Sequence, residues 1–128
     1  MTQKDKAIRL KLSKAHALLA EVDILIQHHF YGTAINRLYY SCYHVTKALL
    51  LTKGLVPKTH SGVATMLNQN FVLTGEFDKS QATFFSKLMH ERIDDDYSDF
   101  VVVEYDEIDE FIEPAKAYIS YVENLTAR

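Results

Sequence analysis

Ala34-Ile35-Asn36-Arg37-Leu38-Tyr39-Tyr40-Ser41-Cys42-Tyr43-His44-Val45-Thr46-Lys47-Ala48-Leu49-Leu50 decides how the rest of the chain is read. Ile35, Leu38, Cys42, Val45 and Leu49 fall alternately three and four residues apart. That step keeps one face of an α-helix apolar. Tyr39, Tyr43, Ala48 and Leu50 make the segment apolar on other faces as well. A helix apolar most of the way round lies at the centre of a bundle or at an oligomer interface. The spacing predicts a helix from about Thr33 to Lys53, with Gly32 as a break before it and Gly54 and Pro57 in the loop after it.

The same alternation appears at both ends of the chain. Ile8, Leu12, Ala15, Leu19, Val22 and Ile26 predict a first helix from Lys4 to about His29. Ile108, Ile112, Ala115, Ile119 and Val122 predict a last one, capped by Asp106 and kinked or restarted at Pro114. Thr59 or Ser61 caps a short third helix that ends near Phe71. Asp78, with Gln81 three residues on, opens a fourth helix that runs to about Tyr97. Phe100-Val101-Val102-Val103 is β-branched, but no second strand candidate exists to pair with it, so it reads as a connector. The expected fold is all-α: an up-and-down antiparallel bundle of four long helices plus one short helix, forming one domain over residues 1–128.

Composition bounds the function. Apolar residues make up 48% and charged residues 24%, the balance of a globular domain rather than a disordered chain. A net charge of -3 gives no global attraction for nucleic acid, although a local basic patch is compatible with it. The single cysteine, Cys42, has no internal disulfide partner and sits in the apolar stripe, so it reads as core. No apolar run approaches the ~20 residues that span a bilayer. The charged opening, Met1-Thr2-Gln3-Lys4-Asp5-Lys6, lacks an apolar signal core, and the expectation is a cytoplasmic protein with no membrane contact. The six histidines form no His-x-x-x-His pair, and there is no Gly-rich phosphate loop, so neither a metal nor another cofactor is expected.

Three places carry candidate chemistry. Arg92 and Asp96 are four residues apart, so they share a helix face, with Tyr97 beside them. They read either as a structural ion pair or as a guanidinium held by Asp96 and offered to a phosphate or a partner chain. The acidic run around them lacks the Gly-punctuated spacing of a calcium loop and reads as a solvated face. On the second helix, Asn36, Tyr40, His44 and Lys47 form one stripe, and Arg37 stands two turns from His44. An Arg and a His facing one groove can bind a phosphate and move a proton. The bland alternative is a packed tyrosine helix with a polar edge. The third place is Lys58-Thr59-His60-Ser61-Gly62, where His60 and two hydroxyls open a helix. It reads as an anion seat or as an ordinary cap.

The segments 34–50, His60-Ser61-Gly62, Phe71-Val72-Leu73-Thr74-Gly75-Glu76-Phe77 and Arg92-x-x-x-Asp96-Tyr97-Ser98-Asp99-Phe100 occur in an order that resembles the prokaryotic HEPN domain, in its small stand-alone branch. The resemblance implies a bundle of four or five helices, usually homodimeric. Such proteins are often encoded beside a minimal nucleotidyltransferase, and several form toxin–antitoxin pairs. Some members are metal-independent RNases, whereas others bind nucleotide or RNA without catalysis. The RNase members carry a His four to six residues after the Arg of the late helix. Here Asp96 and Tyr97 stand at that distance from Arg92. An ionised carboxylate does not replace an imidazole as acid and base without a large pKa shift. The expectation is a module that binds nucleotide or RNA phosphate through Arg37, His44 and Arg92, supported by Asn36, Tyr40, Lys47, His60, Asp96 and Tyr97. The alternatives are an RNase using Arg92 with His44 or His60, and a non-catalytic oligomerisation bundle.

Overall fold

A computed structural model describes residues 1–92 and 103–127. It contains α1 (Gln3–Gln27), α2 (Tyr31–Thr52), the short α3 (His60–Leu67) with a π turn over Asn68–Val72, α4 (Lys79–Glu91) and α5 (Tyr105–Thr126). No strand occurs among the described residues. None of the helices there is long and apolar enough to cross a membrane.

The helices run up and down. Lys4 at the start of α1 donates to the Thr52 carbonyl at the end of α2, so these two are antiparallel. Tyr31 meets Tyr105 and Thr46 meets Tyr118, so α2 and α5 run the same way. α4 runs against α5, with Phe77 and Asp78, just before its first turn, against Tyr121 and Lys87 over Phe111. α2 is the central element. Eleven of its residues are buried, among them Ile35, Leu38, Tyr39, Cys42, Val45 and Leu49. Small residues bring α1 onto it: Ser41 and Ala15 are both fully buried, and the Ser41 hydroxyl donates to the Ala15 carbonyl at 2.7 Å. Inside the core, Thr46 donates to the Cys42 carbonyl, and the Tyr118 hydroxyl completes the chain at 2.6 Å from Thr46. Each of these buried polar groups is therefore paired, as burial requires.

Local signals differ from the sequence reading at four points. The corner between α1 and α2 lies at His28–Phe30, where His29 adopts φ 62°, and Gly32 lies inside α2. Histidine is among the non-glycine residues that enter the left-handed region more readily than most, so His29 can reverse the chain there at a steric cost that glycine avoids. Glu104 rather than Asp106 caps α5, through a capping box with Glu107. Pro114 does not interrupt α5. Pro114 is exposed, while Phe111, Ala115 and Tyr118 on the inner face anchor both halves of the helix to one core. α4 ends at Glu91, with Arg92 as its C-cap. The expected continuation to Tyr97 and the connector at Phe100 fall outside the described residues.

Candidate functional site

Tyr39 organises the site. It is fully buried on α2, with its ring stacked on Phe85 of α4 (centroids 5.9 Å apart, planes at 12°). Phe85 stacks in turn on Tyr118 of α5 (5.5 Å, 11°). The three rings thus tie α2, α4 and α5 together beneath the surface. Burial pushes the Tyr39 phenol well above its usual range, and the nearby Arg92 charge only partly opposes this, so the group remains an OH at any physiological pH.

Two candidate side chains converge on that ring. The Tyr39 hydroxyl lies 2.8 Å from Nδ1 of His60, which fixes the imidazole at the start of α3. The guanidinium of Arg92 sits with Cζ 5.5 Å from the Tyr39 ring centroid. This contact is a cation–π interaction at the end of α4. His60 and Arg92 line one shallow, open cavity of about 440 Å³ with Ser61, Met89 and His90.

Thr59 positions His60. Its hydroxyl accepts from the Gly62 N–H at 2.9 Å and so caps α3. A Cβ at Gly62 would come within 2.8 Å of that hydroxyl, so the cap needs glycine there. Of the two caps open in the sequence, Thr59 is the one formed.

The other sequence candidates lie elsewhere. Arg37 pairs with Glu21 of α1 at 2.7 Å. His44 is half-buried on the side of α2 that faces α1. Burial, followed by Lys14, Lys47 and Lys11, pushes its pKa from the ordinary 6.5 down to about 4. Tyr40 and Tyr43 form a partly exposed ridge between His44 and His60. Tyr43 lies 5.3 Å from the first and 4.7 Å from the second, and Tyr40 lies 6.4 and 5.7 Å away. Lys47 reaches over the Tyr43 ring at 5.2 Å. Asn36 lies on the partly exposed side of α2. Asp96 and Tyr97 fall outside the described residues. The structure therefore joins Arg92 to His60 and sets Arg37 and His44 on the α1 side.

The depressed His44 pKa makes stability depend on pH. The unfolded ring takes its proton near the ordinary 6.5, and the folded ring only near 4. Between these values the unfolded chain binds more protons, so this contribution is complete above about pH 6.5 and is lost as pH falls toward 4. Urea midpoints should therefore fall from pH 6.5 to 4.5, and His44→Gln should flatten the decline. An equally steep decline in the variant would contradict the assignment to His44.

Met89 and His90 were not singled out by the sequence reading, and neither were Lys11 and Lys14. The available signal for the lysines was the run of cations in the first half of α1 (Lys4, Lys6, Arg9, Lys11 and Lys14). Among the described residues, no three His, Cys, Asp or Glu side chains converge as metal ligands.

Comparison with known proteins agrees with this architecture. The family model described as HEPN domain matches residues 8–125. The UPF0332 protein of Thermotoga maritima is 31% identical to this chain, over 98% of the chain and 95% of that protein. A Methanocaldococcus jannaschii protein named as a candidate toxin is 30% identical, over 85% of this chain and 74% of its own length. A second one from the same organism, also named as a candidate toxin, is 35% identical over 71% and 68%. With the family model covering almost the whole bundle, this chain belongs to the HEPN domain family.

Proposed function

We propose that this chain is a toxin-like HEPN module whose His60–Arg92 cavity takes the phosphate of a nucleotide or of RNA, and that it acts with a minimal nucleotidyltransferase partner. One observation carries the reading: a histidine from the start of α3 and an arginine from the end of α4 are held around one buried tyrosine, at the mouth of an open cavity. A guanidinium offers a planar fork of donors to phosphate oxygens. Tyr39 holds the imidazole ring in place beside it. The names of the Methanocaldococcus relatives support the toxin-like role. In this reading the protein works in the cytoplasm as a homodimer. Arg92 and His60 line the cavity and Arg37 does not, so in this reading the phosphate contact falls to Arg92 and His60. Calorimetric titration with a ribonucleotide tests the reading. Wild type should bind and Arg92→Ala should bind much more weakly, whereas unchanged binding in the variant would contradict it.

A second reading is a metal-independent RNase. The placement of His60 beside Arg92 favours it, because Arg92 can stabilise phosphorane charge while His60 moves protons. With Tyr39 engaging Nδ1, that proton transfer would fall to Nε2. Expression without an antitoxin should then arrest growth, and His60→Ala should restore it. Normal growth of cells making the wild-type protein, together with intact RNA after incubation in chelator, would leave the binding module alone standing.

A further inference from the structure

The Tyr39 hydroxyl has one proton, and its burial decides where that proton points. The side chain is fully buried, and among the described residues its one hydrogen-bond partner is Nδ1 of His60, at 2.8 Å. The rings next to it are those of Tyr40, Tyr43, His60 and Phe85. A hydroxyl can accept as well as donate, but a buried proton without an acceptor forfeits a hydrogen bond that water would have made. Were Nδ1 to carry a proton, Tyr39 would accept from it, and the phenol's own proton would be left without a partner. Donation from the hydroxyl to Nδ1 satisfies both groups. That agrees with the rest of the core, where no buried side-chain polar atom among the described residues lacks a partner. Burial also keeps the phenol protonated, so the proton for this bond is present.

A neutral imidazole carries a single N–H, and with Nδ1 accepting, that N–H is on Nε2. We infer that Tyr39 is a positioning residue that fixes the neutral His60 ring as its Nε2–H tautomer, so that His60 meets the phosphate as a hydrogen-bond donor alongside Arg92. This role rests on the reading of the cavity as a phosphate site and sets the chemistry of that site. A guanidinium has donors and no acceptor, and His60 adds a further donor on the same cavity wall. Such a pair suits an oxyanion whose oxygens only accept. The same tautomer limits what His60 can do to protons. Its Nε2 has no free lone pair and its Nδ1 is engaged by Tyr39. The neutral ring can therefore give a proton to a leaving group but cannot take one from an attacking hydroxyl.

Long-range proton–nitrogen correlation spectra of the isotope-labelled protein test this at pH 8, where an ordinary imidazole is neutral. The two ring nitrogens resonate far apart when one is protonated and the other is not. In wild type, His60 should show a protonated Nε2 and an unprotonated Nδ1. Tyr39→Phe keeps the ring that stacks on Phe85 and removes only the hydroxyl. Both His60 nitrogens should then move toward the averaged positions of a tautomer mixture, with the helical circular dichroism unchanged. A packing role alone for Tyr39 would not move those signals. Affinity for adenosine monophosphate should fall in proportion to the fraction of rings that no longer carry the proton on Nε2. A protonated Nδ1 in wild type overturns the tautomer whether or not the variant folds. An unshifted His60 spectrum in Tyr39→Phe overturns the role of Tyr39. Either result, with adenosine monophosphate still bound by wild type, leaves the cavity reading intact. An Nε2–H ring in wild type that does not respond to saturating adenosine monophosphate overturns the cavity reading, and with it the donor role, while the tautomer stands.

Discussion

Replacing Phe85 with alanine should destabilise the protein by about 4 kcal/mol, lowering the melting temperature by roughly 10–20 °C. Phe85 is fully buried, and its ring is the middle member of the Tyr39–Phe85–Tyr118 stack. Truncation removes the transfer energy of the ring and leaves a cavity walled by helices that cannot collapse independently. It also removes two stacked contacts, each worth about 1 kcal/mol beyond area burial. A domain of this size is stable by only ~5–15 kcal/mol, so the loss is a large fraction of the total. Phe85→Leu keeps much of the volume and should cost less than half as much. Leu73→Ala is the contrasting control, because Leu73 is 73% exposed and its loss should be nearly neutral. Chemical denaturation of the three variants checks this ranking. A Phe85→Ala protein within 1 kcal/mol of wild type would mean that the stack does not hold the helices together.

The second large effect concerns Arg92, and it should appear in binding rather than in stability. Arg92 is partly exposed beyond the end of α4, so Arg92→Ala creates no internal cavity and should leave the melting temperature within a few degrees. Its guanidinium is oriented by the face of Tyr39. Hydrogen bonds from that group to a phosphate are worth about 1.5–3 kcal/mol, so Arg92→Ala should weaken ribonucleotide binding by about 10- to 100-fold. Arg92→Lys keeps the charge but loses the planar fork and the stacking surface, so it should recover only part of the affinity. Full recovery with lysine would reduce the role of Arg92 to that of a point charge. Calorimetry of the three proteins at one salt concentration separates these outcomes.

The bundle was legible because its information is local. The stripe from Ile35 to Leu49 and its counterparts in α1 and α5 are properties of a 3.6-residue period, and all three helices appear where those stripes lie. Caps were less legible, because Glu104 and His29 are residue types that seldom mark a helix boundary. Of the site, the sequence offered Arg92 with either His44 or His60 as an alternative but could not choose between the two histidines. The proximity of Arg92 and His60 depends on Tyr39, which is 21 residues from His60 in sequence and is brought beneath Arg92 only by the packing of α4 on α2. Arg37 and His44 looked like partners of Arg92 because they share a side of one helix. What the spacing could not show was that α1 lies against that side, bringing Glu21 to Arg37 and Lys11 and Lys14 to His44.

The most direct test of the phosphate cavity is a titration of the isotope-labelled protein with adenosine monophosphate, followed through the histidine ring resonances. His60 lines the cavity, whereas His16 of α1 pairs with Glu123 of α5 and His44 lies across the tyrosine ridge. The His60 signals should shift in a saturable way in wild type and stay fixed in Arg92→Ala, with His16 unmoved in both. A saturable shift at His16 or His44 with His60 unchanged would place the nucleotide elsewhere and contradict the account.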